Sequence, residues 1–320
     1  MKLALIGFGT VGKAFARLIE SKKAAFPFRI TGIHTARHGT AINPEGLKPA
    51  FAFGPAAPTV EAFLDACRPE IAVEITPLNP ATGEPAISHI RMAFARGVHV
   101  ATANKGPIAH AYGQLREEAA RAGVEFRFEA TVMDGAPVFN LVRRNLPGVR
   151  VLGFTAVLNS TTKIIIEAME RGRSFEDGVR QAQQMGVAEA DPSYDIDGWD
   201  AAAKAAALAN VLMDAHTTPL AVDTKGVGRV TPEKVAALAA KGKTIQLVAR
   251  ARSTEAGVKL RVRAEVLEKT DLLAAVRGTS NLLLLHTDLM GTVGTVSISP
   301  TPEQTAYGLF ADIVDIAQSI

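Results

Sequence analysis

The first 130 residues alternate between short unbroken apolar runs and runs with helical spacing. Lys2–Ile6 is apolar throughout, and Val11, Phe15, Leu18 and Ile19 follow on one face of a helix. Short apolar runs bounded by turn residues predict buried strands. The predicted strands cover 2–6, 28–34, 71–76, 98–102 and 124–129, and the predicted helices 11–19, 60–66, 86–95 and 112–122. This alternation predicts an α/β fold with a mostly parallel sheet covered by helices on both faces.

The pattern changes after residue 130. Predicted strands cover 151–158, 258–265, 282–287 and 294–299, and predicted helices cover 162–170, 175–185, 201–213 and 305–316, with a hairpin turn at 254–257. A chain of 320 residues also exceeds the usual size of one hydrophobic core. We therefore expect two domains: 1–130, to which a C-terminal helix 303–320 returns, and a second α+β domain, 131–302.

Composition excludes several classes of protein. Hydrophobic residues make up 48% and charged residues 21%, which is typical of a globular protein. The net charge of +3, without basic runs, argues against nucleic-acid binding, and no apolar run reaches the roughly 18 residues of a membrane span. The start of the chain leaves no room for a signal peptide, and the single cysteine, Cys67, allows no internal disulfide, which together predict a cytoplasmic protein. We expect Cys67 to be a buried, inert thiol rather than a reactive one.

A glycine-rich turn follows the first predicted strand. It reads Gly7-Phe8-Gly9-Thr10-Val11-Gly12, in which the glycines allow a tight turn, approach of the backbone to a pyrophosphate, and packing of the helix on the strand. A tight turn alone could also require glycines. The strand, helix and second strand in register favour a dinucleotide site in a Rossmann-type domain.

The end of the second strand bears on the choice of nucleotide. NAD-selective sites usually carry an acidic residue there, whereas this chain offers Arg37, which suits a 2′-phosphate. The sequence thus favours NADP over NAD, although Arg37 could equally be a solvated loop residue. Thr76 ends one predicted strand and Lys105 follows another, at the sheet edge where such folds bind ligands, and both are candidate cofactor residues.

The segment 186–204 holds five carboxylates followed by one lysine. Asp200 and Lys204 are four residues apart and therefore share a helix face, ahead of an alanine-rich apolar run. A helix of that composition should be largely buried, so the charged pair would line a cleft where a lysine becomes a useful acid or base. A solvated acidic loop with an exposed ion pair remains the alternative.

Taken together, these features resemble homoserine dehydrogenase. The glycine turn, Ala-Asn-Lys-Gly-Pro at 103–107, Glu-Ala-Thr-Val at 129–132, Leu-Asn-Ser-Thr-Thr at 158–162 and the segment 189–204 occur in that family's order and spacing. The resemblance runs from residue 1 to about 300 and is to a short form without the regulatory ACT domain. It implies NAD(P)-dependent interconversion of L-aspartate 4-semialdehyde and L-homoserine, in threonine and methionine biosynthesis, by a homodimer with strands after residue 258 at its interface.

The resemblance also implies roles for particular residues. Lys204 and Asp200 match the catalytic lysine and aspartate, and Lys105 matches a lysine between cofactor and substrate. Glu189 and Asp195 match carboxylates around the substrate amino group. Further residues fall at substrate positions (Ser160, Thr161) and at a sodium site built largely from backbone oxygens (Glu129, Val132, Asp134, Ala136).

The chain departs from the family pattern in three places. Met133-Asp134-Gly135 replaces a glycine run, Asn159-Ser-Thr-Thr-Lys163 replaces Asn-Gly-Thr-Thr-Asn, and Ser299-Pro-Thr-Pro-Glu303 replaces a glycine-rich loop. Two rival functions therefore stay open: an oxidoreductase for another amino-acid-derived aldehyde or keto acid, and a non-catalytic NADP-binding sensor. Retention of Lys105, Asp200 and Lys204 argues against the sensor, because cofactor binding alone does not need them.

Overall fold

Two six-stranded sheets organise the chain, one in each of two units. The computed structural model describes residues 1–320. The first unit comprises Met1–Pro137 and Thr301–Ile320, and the second comprises Val138–Pro300. The expected boundary at residue 130 therefore lies inside the first unit.

The first sheet has the order β3-β2-β1-β4-β5-β6. All neighbouring strands are parallel except β2 and β3, which form an antiparallel hairpin. The mostly parallel sheet expected from the sequence is thus confirmed. Its elements are β1 (Lys2–Ile6), α1 (Thr10–Lys22), β2 (Arg29–Thr35), β3 (Gly39–Ile42), α2 (Val60–Cys67), β4 (Ile71–Glu74), α3 (Ala86–Phe94), β5 (His99–Thr102), α4 (Lys105–Ala122), β6 (Phe126–Arg127) and the closing α10 (Pro302–Ser319).

The closing helix completes the core of the first unit. α10 packs against α1, and its residues Leu309, Ile313 and Ile316 are fully buried with Leu5 and Phe15. Burial of such side chains contributes about 1.5–3 kcal/mol each. The C-terminal segment therefore belongs to the first unit, although the whole second unit separates the two in the sequence.

Two elements of the first unit differ from the sequence prediction. Helix α4 begins at Lys105 rather than at residue 112, because Asn104 caps it by accepting from the Gly106 N–H and Pro107 lies in the first turn. A proline there loses no helical hydrogen bond. The predicted strand 124–129 is reduced to β6 and is followed by a 3-10 turn, Glu129–Thr131.

The second sheet has the order β12-β11-β7-β9-β10-β8. Its neighbouring strands are antiparallel except β8 and β10, so the expected α+β architecture is confirmed. Strand β9 was not predicted, but the turn at 254–257 joins it to β10. The elements are β7 (Val151–Val157), α5 (Ser160–Glu170), α6 (Phe175–Gln184), α7 (Ser193–Ile196), α8 (Trp199–Met213), β8 (Asp223–Thr224), α9 (Pro232–Ala239), β9 (Lys243–Thr254), β10 (Gly257–Glu268), β11 (Asn281–Thr287) and β12 (Thr292–Ser297).

Helix α8 lies at the centre of the second unit. It packs on β9 and β10, and its residues 201–203 and 205–209 are at most 2% exposed. Small alanine side chains allow this close approach. Asp200 and Lys204 are the only charged residues of α8. No helix of the chain combines the length and apolarity needed to cross a membrane.

Candidate active site

The glycine turn between β1 and α1 has the geometry of a nucleotide-binding loop. Gly7 has φ 104°, and a Cβ there would lie 2.6 Å from the Ile75 carbonyl oxygen, so only glycine fits. A Cβ on Gly12 would lie 3.0 Å from the Ile75 side chain. A Cβ on Gly9, by contrast, would meet no protein atom within 4 Å. The first and third glycines thus serve the fold, whereas the second leaves open space beside the backbone, as approach of a pyrophosphate requires.

The start of α1 supplies the dipole for that anion. Gly9 is the N-cap residue and offers no side-chain cap, and Thr10, the first helical residue, is exposed. Uncapped N–H groups at a helix N-terminus attract negative charge. Phe8 packs edge-to-face against Phe51 at 5.2 Å, and both Phe8 and Val11 are half-buried against the core of the first unit.

The loop after β4 is held by a buried carboxylate. Glu74, 1% exposed, accepts from the backbone N–H of Thr76 (3.1 Å) and from the hydroxyls of Thr76 and Thr102. Asn104 donates to the Thr76 carbonyl at 3.1 Å. Thr76 and Lys105, the first residue of α4, are therefore both tied to the carboxyl edge of the parallel sheet. Sequence reasoning found Thr76 and Lys105 but missed the supporting Glu74.

Arg37 lies in the turn of the β2–β3 hairpin and is exposed. Thr35 fixes that turn by accepting from the His38 N–H at 2.8 Å and donating to the Gly39 carbonyl. No acidic residue occurs between residues 30 and 44. The hairpin thus presents a cation, without a competing carboxylate of its own, at the end of the second strand.

In the second unit, Lys204 and Asp200 form the predicted pair on one face of α8. Lys204 Nζ lies 3.0 Å from Asp200 Oδ2 and donates to the Leu158 carbonyl oxygen at 2.7 Å. The side chains of both residues are largely buried, at 17% and 10% exposed. The alternative of an exposed surface ion pair is therefore wrong.

Asn159, which the sequence analysis had not singled out, joins the carboxylates of this site. Its Nδ2 donates to Asp195 at 2.6 Å and to Asp200 at 3.0 Å, while its Oδ1 caps α5 by accepting from the Thr162 N–H. Thr161 donates to the second oxygen of Asp195 at 2.7 Å. One N-cap residue thereby brings α5, α7 and α8 together around two carboxylates. The Asn that precedes a Ser-Thr-Thr helix start was the available signal.

The environment of Asp195 disfavours its ionised form, and the hydrogen bond from Asn159 offsets this effect only in part. Burial, followed by repulsion from Asp200, raises its pKa, whereas the hydrogen bonds from Thr161 and Asn159 and the charge of Lys204 oppose that rise. The hydrogen-bonded cluster holds two carboxyl groups and one amine, so a further positive charge nearby would favour the ionised form of Asp195. The site thus suits a ligand with a positive charge.

Two other expected substrate residues make no hydrogen bond to this cluster. Ser160 is in the first turn of α5 but donates to the Thr279 carbonyl at 3.2 Å. Glu189 is exposed, in a loop whose carbonyls accept from Gln183, and its carboxylate makes no hydrogen bond or ion pair.

Cys67 is 1% exposed, and burial raises its pKa to about 12, which fits an inert thiol.

The segment expected to bind sodium is a compact backbone turn. Glu129 is buried, and its N–H donates to Asp312 at 2.9 Å. Asp134 has φ 59°, a conformation that glycine adopts freely and aspartate tolerates. This explains how Asp134 stands where the family has a glycine run. No group of three or more His, Cys, Asp or Glu side chains is placed to hold a metal ion.

Comparisons with known proteins agree with this geometry. Residues 7–129 match the family model for the homoserine dehydrogenase NAD binding domain, and residues 137–314 match the model for homoserine dehydrogenase. The homoserine dehydrogenase of Methanocaldococcus jannaschii is 34% identical, covering 100% of this chain and 99% of its own, and that of Sulfurisphaera tokodaii is 35% identical over 98% of each.

Solved structures show the same fold. The homoserine dehydrogenase of Thermoplasma acidophilum has a TM-score of 0.87 at 26% identity, with 99% of each chain covered. A hyperthermophilic archaeal homoserine dehydrogenase in complex with NADPH has a TM-score of 0.84 at 26% identity, covering 100% of this chain and 98% of its own. The chain, an NAD(P)-dependent oxidoreductase, therefore belongs to the homoserine dehydrogenase family.

Proposed function

We propose that this chain interconverts L-aspartate 4-semialdehyde and L-homoserine with Lys204 as the proton donor and acceptor. The observation that carries the proposal is the buried Lys204–Asp200 pair, which binding a cofactor alone would not require. When bound, the nicotinamide supplies the hydride for reduction of the aldehyde carbon and takes it up in the reverse direction. The rest of the chemistry falls to the side chains around α8.

Lys204 acts on the oxygen of the reacting carbon. In the reducing direction its ammonium donates a proton to the developing alkoxide, and in the oxidising direction the neutral amine accepts the hydroxyl proton. Asp200 and the Leu158 carbonyl hold Nζ in one position, at 3.0 and 2.7 Å. Lys105 is proposed to balance negative charge of the substrate carboxylate or near the nicotinamide.

Asp195 is proposed to bind the substrate ammonium. Its pair with Asp200 outweighs the single charge of Lys204, so an α-ammonium restores neutrality in a low-dielectric site. Thr161 and Asn159 hold Asp195 in place for that role. Ser160 sits beside Thr161 in the first turn of α5, and Glu189 contributes a further carboxylate from its exposed loop.

NADP is proposed as the preferred cofactor. The β2–β3 turn offers Arg37 to a 2′-phosphate and has no carboxylate to repel it. The NADPH complex of a structural relative is consistent with this preference, whereas one relative at 34% identity is named an NAD(+)-dependent homoserine dehydrogenase. Gly7 to Gly12 and Thr76 would hold the parts of the cofactor that NAD and NADP share.

A sodium ion is proposed at the turn 129–136. Glu129, Val132, Asp134 and Ala136 supply only oxygen donors, which suit a hard cation, and the buried Glu129 supplies charge. A sodium ion bound there would stabilise the folded conformation of this turn. A melting temperature that is higher in sodium chloride than in choline chloride at equal ionic strength supports the site, and equal melting temperatures contradict it.

A homodimer in the cytoplasm, serving threonine and methionine biosynthesis, completes the proposal. Leu284 and Val296 lie on one face of the second sheet, where Leu284 is partly buried and Val296 is 52% exposed. A second copy packing on this face would cover it. Light scattering should give the mass of two chains, and Val296→Glu should shift that mass towards one.

One assay separates the proposal from its rivals. NADPH and NADH oxidation is followed with L-aspartate 4-semialdehyde and with a panel of other aldehydes and keto acids. Turnover fastest with aspartate semialdehyde and NADPH supports the proposal. Faster turnover with another carbonyl substrate favours a different oxidoreductase, and binding of NADPH without any turnover favours a sensor.

A further inference from the structure

Tyr194 carries a buried polar atom that the mechanism above does not use. Its hydroxyl oxygen is buried, and no protein atom hydrogen-bonds to it. A buried hydroxyl without a partner costs about 1–3 kcal/mol. A phenylalanine would fill the same volume without that cost, so the hydroxyl needs an explanation outside the packing of the unliganded protein.

The position of Tyr194 is fixed by tight packing of α7. The Val227 N–H donates to the Ile196 carbonyl at 2.8 Å, and a Cβ on Gly226 would lie 1.9 Å from that same oxygen. α7 also packs against α5 and α8, the two helices that carry the rest of the site. The backbone of α7, which carries Tyr194, is therefore packed between residues 226–227 and the two helices α5 and α8.

The charges around the Tyr194 hydroxyl determine which kind of ligand group can bind to it. Burial, followed by the charges of Asp200 and Asp195, raises the pKa of the Tyr194 hydroxyl, so it stays protonated throughout the working range of an enzyme. An anionic group would be repelled by these carboxylates. A cationic hydrogen-bond donor would be attracted, and the oxygen lone pairs of a neutral phenol can accept from it.

We propose that the Tyr194 hydroxyl accepts a hydrogen bond from the α-ammonium of the substrate and so selects amino-acid aldehydes and alcohols over analogues without an amino group. The inference rests on the proposed function, because it places Tyr194 beside Asp195 at the same ammonium. It assigns to Tyr194 a binding role, not proton transfer.

The test compares Tyr194→Phe with wild type on matched substrates. One pair is L-aspartate 4-semialdehyde and succinate semialdehyde, and the other is L-homoserine and 4-hydroxybutanoate; each second compound lacks only the amino group. The variant should lose about 10- to 100-fold in kcat/KM for the amino compounds, the usual effect of a hydrogen bond to a charged group. Its kcat/KM for the des-amino compounds and its KM for NADPH should not change.

Stability supplies a second, independent measurement. Because the change removes a buried unpaired hydroxyl, the melting temperature of the unliganded variant should not fall, while the stabilisation by added L-homoserine should shrink. Tyr307→Phe is the matched control, since Tyr307 is 56% exposed in α10, and it should leave every value unchanged.

The outcomes are distinct. An equal loss on amino and des-amino substrates, no loss on either, or a lower melting temperature would each overturn the role of Tyr194. Failure of wild type itself to turn over aspartate semialdehyde would instead overturn the proposed function, whatever the variant does.

Discussion

The side-chain amide of Asn159 donates to Asp200 Oδ2 at 3.0 Å. With its second N–H on Asp195 and its carbonyl oxygen on the Thr162 N–H, it uses its whole side chain to join three helices. The acid of the proposed mechanism, Lys204, is in turn held by Asp200. The local structure of one helix start thus sets the geometry of the proposed catalytic pair.

Substituting Asn159 should separate its two roles. Asn159→Ala removes both the cap, at a cost of about 1 kcal/mol, and the donor to the two carboxylates. Asn159→Ser keeps an N-cap oxygen but cannot bridge the carboxylates. We expect both variants to lose at least about tenfold in kcat/KM for aspartate semialdehyde, and the serine variant to melt at the higher temperature. Retained activity in the serine variant would show that the bridge is not needed.

Stability should depend on pH through Asp195. Because its pKa is raised in the folded state, the folded protein holds that proton more tightly than the unfolded chain. The resulting stabilisation is present below the ordinary aspartate pKa of about 3.9 and is lost as the pH rises through the raised value. At neutral pH the charge of the partly buried Asp195 therefore destabilises the fold, and Asp195→Asn removes that charge.

Thermal unfolding of wild type and Asp195→Asn at pH 4 and pH 8 measures this effect. The variant should gain in melting temperature relative to wild type as the pH rises, and should bind L-homoserine more weakly. A difference in melting temperature that stays constant with pH would show that Asp195 has no raised pKa.

Cofactor choice should depend on Arg37. Arg37→Ala removes the proposed partner of the 2′-phosphate and should raise the KM for NADPH about tenfold while leaving the KM for NADH unchanged. Lys22→Ala, at the exposed end of α1, is the control. A parallel rise in both KM values would show that Arg37 acts on the fold of the hairpin and not on the phosphate.

The sequence predicts the parts of this protein that depend on local patterns. Each of these patterns is a spacing of residues within one short segment: the glycine turn, the periodicity of apolar residues in each strand or helix, and the Asp200–Lys204 pair. The structure shows all three. Helix α4 begins earlier than predicted, because the Gly106-Pro107 pair looks like a helix breaker although a first helical turn tolerates both residues.

The local pattern of apolar and polar residues does not predict contacts between segments that are distant in the sequence. Asn159 and Asp195 are 36 residues apart, and Glu74 and Thr102 are 28 apart; nothing in local periodicity pairs them. Strand β9 was missed because Arg250 and Arg252 interrupt its apolar run, although Arg250 is neutralised by Glu265 on the neighbouring strand. Tertiary pairing decided these positions.

The central claim is that Lys204 transfers the proton, and Lys204→Ala tests it most directly. We expect kcat for reduction of aspartate semialdehyde to fall about 10²- to 10⁴-fold, the usual contribution of a general acid. NADPH binding, followed by fluorescence, should not change, and the exposed Lys225→Ala should behave as wild type. A fall of less than about tenfold with NADPH binding intact would contradict the assignment.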